Sequence, residues 1–164
     1  MRKIKFLTII TWLTASFTVI QLNAQIPSQL EHFQIKDVRL TESAFKKAQD
    51  MDIRYLLSLD PDRLLAPYMK EAGLEPKAEN YTNWENTGLD GHVGGHYLSA
   101  LSYMYAATGD QEIKGRLDYY ISELKRCADA SGNGYLSGVS NGKNKIWKEI
   151  SEGNIRAASF GLND

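Results

Sequence analysis

Apolar residues recur at helical spacing along most of the chain from residue 41 onward, and this period predicts a mainly helical protein. The first predicted helix covers residues 42–58, with Thr41 as its N-cap. Its predicted buried face comprises Phe45, Ala48, Tyr55 and Leu56. The preceding segment 32–40 alternates apolar and polar residues instead, which predicts a short edge strand or an extended arm.

A second helix is predicted to begin at Pro61, because Asp60 can cap it and proline at the first helical position sacrifices no hydrogen bond. Gly73 stands where a helix-ending glycine is favoured. The stretch 74–91 follows neither a helical nor a strand period and combines aromatic with amide side chains. It therefore predicts an ordered, irregular loop.

The clearest pattern is a pair of helices over residues 92–107 and 111–128, joined by a tight turn in which Gly109 ends one helix and Asp110 caps the next. The second helix carries a single apolar stripe, so it should cover an outer surface; the stripe comprises Ile113, Leu117, Tyr120, Ile121 and Leu124. The first helix contains no Asp, Glu, Lys or Arg, which predicts burial on most sides. An inner helix paired with an outer helix is the unit of a helical ring.

A second irregular stretch, residues 130–145, is rich in glycine, asparagine and serine and predicts another long loop. A last helical segment begins near residue 147, with a candidate buried face of Trp147, Ile150, Ile155 and Ala158. If inner and outer helices alternate, the loops 74–91 and 130–145 lie at the same end of the ring.

A polar stripe runs along the otherwise apolar helix 92–107. At about 100° per residue, the side chains that share one narrow sector are His92, His96, Ser99 and Tyr103. Such groups need partners or water when buried, so the stripe either faces a polar cavity on the axis of the ring or hydrogen-bonds to neighbouring helices.

The residues just before this helix could complete a binding site. Asp90 is a candidate N-cap, and Trp84 and Glu85 of the preceding loop lie at the same end of the helix. An aromatic ring, carboxylates and imidazoles around one cavity mouth suit a sugar, whose C–H face stacks on a ring and whose hydroxyls need donors and acceptors. The predicted substrate-binding residues are therefore His92, His96, Asp90, Trp84 and Glu85.

A metal site is the competing interpretation, since histidines four apart on a helix form half of a zinc site. Zinc requires at least a third protein ligand, and Val93 occupies the position at which the zinc-protease motif carries glutamate. We therefore expect no metal at His92 and His96.

The first 24 residues combine a basic start with an apolar run and a small-residue cleavage pattern ending at Ala24. This pattern predicts a secretory signal peptide, with a single membrane anchor as the alternative. The mature chain would begin at Gln25 with an arm over residues 25–40, and would be secreted or periplasmic without membrane attachment. The net charge of −1 indicates no nucleic-acid partner. The single cysteine, Cys127, allows no internal disulfide and is predicted to be a small buried apolar residue.

Four motifs together resemble the N-terminal part of the β-L-arabinofuranosidases of glycoside hydrolase family 127 and the related family 146. These motifs are LLAP at 64–67, KEAGL at 70–74, GLDGHVGGHYLSAL at 88–101 and AATGD at 106–110. The resemblance covers about residues 36–164. It implies an all-α fold in which residues 41–164 form the incomplete N-terminal part of an (α/α)6 barrel. It also implies an exported enzyme that releases non-reducing terminal β-L-arabinofuranose from plant-type glycans.

The same resemblance implies a cysteine nucleophile beside a zinc held by further cysteines and a glutamate, with another glutamate as acid/base. In such enzymes these residues belong to later barrel helices, so we expect the nucleophile and the acid/base downstream of Asp164. We accordingly expect no catalytic residue and no metal ligand in this chain, zinc only in the full-length enzyme, and no activity from this segment alone. Two alternatives stay open: another α/α-toroid enzyme, either a lyase or an unsaturated-uronyl hydrolase, and a non-catalytic helical module that binds a glycan.

Overall fold

The computed structural model describes residues 32–154, and every regular element within them is helical. The α-helices are α1 (Ala44–Ser58), α2 (Pro61–Glu71), α3 (His92–Thr108), α4 (Gln111–Ala130) and α5 (Trp147–Ser151). Short 3-10 turns cover Ile35–Asp37 and Asn83–Glu85, and a π-helical turn over Gly142–Ile146 leads into α5. The predicted all-α class is confirmed, and the arrangement is compatible with part of a helical ring.

Some predictions fall outside the described residues. They are the signal peptide, the burial of Ile155 and Ala158, and the extension of the barrel segment to Asp164. The placement of the nucleophile and the acid/base downstream of Asp164 likewise stays a prediction, since residues 32–154 do not reach that part of the sequence.

Residues 33–40 form an extended arm interrupted by one 3-10 turn, and the edge strand does not form. Gln34 and Val38, on either side of Ile35–Asp37, both have extended backbone angles. The turn lies alongside α3 while its own side chains stay exposed. Residues 32–154 offer this arm no strand to pair with, so its alternating pattern has no sheet to join.

Helix α1 departs from the prediction at its start and along its face. Ser43, not Thr41, caps it by accepting a first-turn amide. Only Leu56 of the predicted face is buried; the exposed members are Phe45, Ala48 and Tyr55. This exposed face and Tyr103 of α3 line an open groove of about 580 Å³. The apolar period correctly identified the side of α1 that carries the apolar residues, but no part of the described chain covers that side.

The ends of α2 and of the α3–α4 turn follow the prediction. Asp60 caps α2 by accepting one first-turn amide, and Asp110 caps α4 by accepting two. Gly73 follows α2 with φ of 73°, and Gly109 ends α3 with φ of 70°. The left-handed region is open to glycine without a Cβ clash, so both glycines stop their helices where the sequence indicates.

The core lies where α2, α3 and α4 meet, and its largest fully buried side chains are Tyr120, Leu64, Leu65, Met69, Leu101, Ile113, Glu85 and Cys127. The predicted stripe of α4 is buried except for Ile121, which is exposed because it lies at the edge of the stripe. Cys127 is buried on α4 as predicted. Arg116 ties α4 to α1 by donating to the carbonyls of Leu57 and Leu59 at 3.2 and 2.7 Å.

Predicted burial also fails on two further helices, α3 and α5. Helix α3 is buried on one side only, through Gly94, Tyr97 and Leu101. Its opposite side is exposed, because α2 and α4 cover a single face of it. On α5, Trp147 and Ile150 are both exposed. None of the helices in residues 32–154 has the length and apolarity needed to cross a bilayer.

Candidate functional site

The polar stripe predicted on α3 is a continuous exposed face formed by His92, His96, Ser99 and Tyr103. The rings of His92 and His96 meet edge to face, with centroids 4.6 Å apart and an interplanar angle of 82°. The Ser99 hydroxyl donates to the Gly95 carbonyl of its own helix at 3.2 Å. Within residues 32–154, then, the stripe is presented to solvent and is not used to join helices.

Trp84 extends this face beyond the start of the helix. Its ring stacks on the His92 imidazole with centroids 5.8 Å apart and an interplanar angle of 27°. Trp84 remains 59% exposed in this stack. The rings of Trp84, His92 and His96 therefore form a continuous aromatic surface, which we call the ring surface.

Glu85 lies behind the ring surface and not on it, since the residue is only 2% exposed. Its Oε2 accepts the amide of Gly91 at 2.9 Å, and its Oε1 accepts the amide of Val93 at 2.7 Å. Amides in the first turn of a helix have no intrahelical partner, and a carboxylate there also offsets the positive end of the helix dipole. Glu85 therefore caps α3 from the preceding loop.

Asp90 does not cap α3, and that prediction is wrong. The N-cap is Gly91, with φ of 85° and no side chain to donate or accept. Glu85 already occupies the amide of Val93, one of those that a capping Asp90 would have used. Asp90 is instead buried, 8% exposed, and accepts a weak hydrogen bond from Ser140 at 3.5 Å.

The loops on either side of the α3–α4 pair meet at the start of α3, as predicted. A Cβ built on Gly91 would lie 2.8 Å from the Cα of Gly138, and a Cβ on Gly138 would lie 2.7 Å from the Cα of Gly91. Both distances are shorter than a Cβ contact allows, so only glycine fits at either position without a shift.

Tyr68 of α2 supports the same turn from inside the core, a role the sequence did not reveal. Its hydroxyl donates to the Gly91 carbonyl at 2.6 Å. Burial, with a further contribution from the nearby Glu85 carboxylate, raises the pKa of Tyr68 to about 12. The phenol therefore stays protonated and keeps donating its hydrogen bond well above neutral pH.

Close packing brings Tyr68 and Tyr120 against α3 at Gly94. A Cβ on Gly94 would lie 2.7 Å from the Tyr120 hydroxyl oxygen, 2.9 Å from Tyr68 Cε2 and 3.0 Å from the Leu64 carbonyl oxygen. The glycines clustered around the histidines were the sequence signal available for this close packing. Glycine destabilises a helix interior, so its presence there suggests that another part of the chain approaches the helix backbone closely.

Asn80 is a second supporting residue that sequence reasoning missed. Its side-chain amide donates to the Glu85 carbonyl and its Oδ1 accepts from Lys70 Nζ at 2.7 Å. These bonds connect the loop to α2, which belongs to the core. No local pattern predicts them, because Lys70, Asn80 and Glu85 become neighbours only when the loop is folded.

Residues 32–154 do not assemble a metal site: no group of three His, Cys, Asp or Glu side chains in that range is placed to hold an ion. His92 and His96 pack ring against ring. Cys127 is buried on α4, and burial raises the pKa of its thiol. The cysteine-rich zinc set implied by the resemblance does not fit these residues, and no catalytic step is assigned to a metal here.

A comparison with protein-family models shows which family the chain belongs to. The family model described as "Beta-L-arabinofuranosidase, GH127 catalytic domain" matches residues 37–158, which is most of the chain. The chain therefore belongs to this glycoside hydrolase family, as the motifs indicated. The matched region contains the ring surface and both buried carboxylates. A comparison with curated proteins gave no match.

Proposed function

We propose that this member of the GH127 family is the N-terminal part of an exported enzyme that releases non-reducing terminal β-L-arabinofuranose from plant-type glycans. Family membership supports hydrolysis of glycosidic bonds and a glycan substrate. The observation that carries the role of this chain is the ring surface, an exposed indole stacked on one of two adjoining imidazoles. We assign to it the binding of the terminal sugar.

The chemistry of the ring surface suits a small sugar. An exposed aromatic ring can pack against the C–H face of a furanose, while a neutral imidazole offers one donor and one acceptor to hydroxyls. His92 and His96 can therefore orient sugar hydroxyls beside Trp84. Because Glu85 and Asp90 are buried, we assign them to the support of this surface and not to direct contact with the sugar.

The catalytic groups are proposed to lie downstream of Asp164, outside this chain. Among residues 32–154 the free cysteine, Cys127, is buried in the core, which supports placing the cysteine nucleophile elsewhere. This chain then binds and orients the terminal sugar, and residues from elsewhere in the barrel act on the glycosidic bond.

Kinetics of the full-length enzyme on an aryl β-L-arabinofuranoside test this assignment. We expect His92→Ala and His96→Ala each to raise KM about tenfold, which corresponds to about 1.4 kcal/mol for a hydrogen bond lost to the sugar. Ser102→Ala is the matched control, because Ser102 is exposed on α3 away from the rings and its hydroxyl donates to the Leu98 carbonyl. It should change KM by less than about twofold.

Two results would contradict the assignment. Unchanged kinetics in both histidine variants would remove the ring surface from substrate binding. Activity on a different glycoside, without activity on β-L-arabinofuranosides, would overturn the substrate. A uronic acid substrate is the less favoured alternative, because it calls for arginine on the exposed face of α3 and the helix contains none.

A further inference from the structure

The Glu85 carboxylate accepts hydrogen bonds from the backbone on both sides of His92. The amides that its carboxylate accepts belong to Gly91 and Val93, which directly precede and follow His92. The backbone on either side of that imidazole is thus bonded to one buried carboxylate. Hydrogen bonds to a carboxylate are stronger than those between neutral groups. The two bonds therefore restrain the position and direction of the His92 side chain.

Glu85 also determines where Trp84 lies, because the two residues are adjacent in the chain. Both belong to the 3-10 turn Asn83–Glu85, which begins with Asn83 at φ of 63° and is closed by the Asn86 amide donating to the Asn83 carbonyl at 3.1 Å. With its carboxylate fixed to α3, the turn can present Trp84 to His92 in only a narrow range of positions. The observed stack of the two rings is the result.

The far side of this turn is connected to helix α2. Asn80 donates to the Glu85 carbonyl and is itself held by Lys70 of α2. Glu85 is therefore restrained at its side chain by α3 and at its backbone by a residue bonded to α2. A side chain that only filled space in the core would not need this set of directional bonds.

We propose that Glu85 is a positioning residue that aligns Trp84 with His92 so that both rings contact the sugar as one surface. The kinetic part of this inference rests on the proposed function, whereas the alignment of the two rings does not. Glu85 itself does not contact the sugar. Its effect on the reaction is on binding, through the geometry of its neighbours.

Glu85→Gln in the full-length enzyme is the main test. Glutamine keeps one acceptor oxygen but turns an NH2 group toward a backbone donor, so one of the two bonds is lost. We expect KM for an aryl β-L-arabinofuranoside to rise about tenfold, while kcat changes by less than about threefold. The control is Glu79→Gln, the same substitution at an exposed glutamate of the same loop. It should match the wild type.

A double-mutant cycle separates positioning from a general loss of stability. Trp84→Ala and His92→Ala should have non-additive effects on KM in the wild-type enzyme, because the two rings are in contact. In the Glu85→Gln background their effects should become additive. If Glu85 only stabilised the fold, its replacement would lower Tm and leave the coupling between the two rings unchanged, which would overturn the proposal.

Fluorescence tests the alignment of Trp84 with His92 without any substrate. The contribution of Trp84 is the difference between the emission of the enzyme and that of its Trp84→Phe variant. We expect His92→Ala to change this contribution in the wild type and to leave it unaltered in Glu85→Gln. An equal change in both backgrounds would contradict the proposal, even if the enzyme proved to act on another glycoside.

Asn80→Ala provides an independent route if Glu85→Gln does not yield folded protein. It leaves the carboxylate in place and removes the side chain that holds the Glu85 backbone. The same loss of coupling between Trp84 and His92 is expected, by KM and by fluorescence. Retention of the full coupling in Asn80→Ala would overturn the proposal.

Discussion

Helices α3 and α4 follow one another in the chain and pack together, yet their starts are secured in different ways. Helix α4 begins after Asp110, whose side chain accepts the amides of Glu112 and Ile113 at 2.9 and 3.0 Å. Helix α3 begins after Gly91, which has no side chain, and receives its cap from Glu85. The start of α4 is therefore a local property of the sequence. The cap of α3 exists only when the preceding loop has folded onto the helix.

The same contrast holds between Gly94 of α3 and Gly115 of α4. Gly115 of α4 has no atom within 4 Å of where a Cβ would stand, whereas Gly94 of α3 is closely surrounded. The helix that carries the ring surface therefore depends on its neighbours at its start and along its buried side. This dependence leaves its exposed polar side chains free for a ligand, since none is needed to hold the helix in place.

Removing each cap should give the largest difference between the two helices. Glu85→Ala leaves the amides of Gly91 and Val93 without their partner, and we expect a loss of about 3 kcal/mol in the free energy of unfolding. Asp110→Ala should cost about 1 kcal/mol, because this cap is only partly buried and water can reach the freed amides. Denaturant unfolding of the two variants under the same conditions checks this. A larger loss for Asp110→Ala would contradict the comparison.

Adding one methyl group to each helix should change stability in opposite directions. Gly94→Ala places a Cβ against a backbone carbonyl and two tyrosine rings, and overpacking of this kind costs about 2 kcal/mol. Gly115→Ala enters open space in a helix interior and should stabilise the protein by roughly 0.5 to 1 kcal/mol. Calorimetry gives both shifts in Tm, and a stabilising Gly94→Ala would show that α3 is packed less closely than described.

The contribution of Tyr68 to the stability of the fold should depend on pH only in alkaline solution. The pKa of Tyr68 is about 12 in the folded protein and about 10 in an unfolded chain. Between those values the unfolded chain releases the proton first, so the contribution of Tyr68 to stability is complete below pH 10 and is lost as the pH rises toward 12. By pH 11 the loss is roughly 1 kcal/mol.

Tyr68→Phe provides the check on this pH dependence. The variant is less stable at neutral pH, because the Gly91 carbonyl loses its donor. Its stability should nevertheless fall less steeply than that of the wild type between pH 10 and 12, and the two curves should approach each other. Parallel curves over this range would indicate that Tyr68 does not titrate as described.

The features that could be predicted from the sequence are those determined by interactions between residues close together in the chain. Asp60, Gly109 and Asp110 act within about one helical turn, and each was assigned correctly. The sector shared by the histidines also follows from helix geometry alone, and the structure preserves it. The family was recognisable because its motifs are themselves short, local strings.

What could not be predicted depends on contacts between distant residues. Glu85 caps a helix whose amides lie six and eight positions away across an irregular loop, so the adjacent Asp90 was the natural but wrong choice. The prediction of buried residues failed for a related reason. A period shows which side of a helix is apolar, as at Phe45 and Tyr55, but not whether another part of the chain covers that side.

The contact between Gly91 and Gly138 has a consequence for protein engineering. Since each Cα occupies the space that a side chain of the other residue would need, a combinatorial library that varies either residue would consist largely of destabilised members. Diversity aimed at a new sugar specificity should therefore leave these two codons constant. Randomised positions are better placed at Ser99 and Tyr103, where the side chains are exposed and the helix backbone can carry many alternatives.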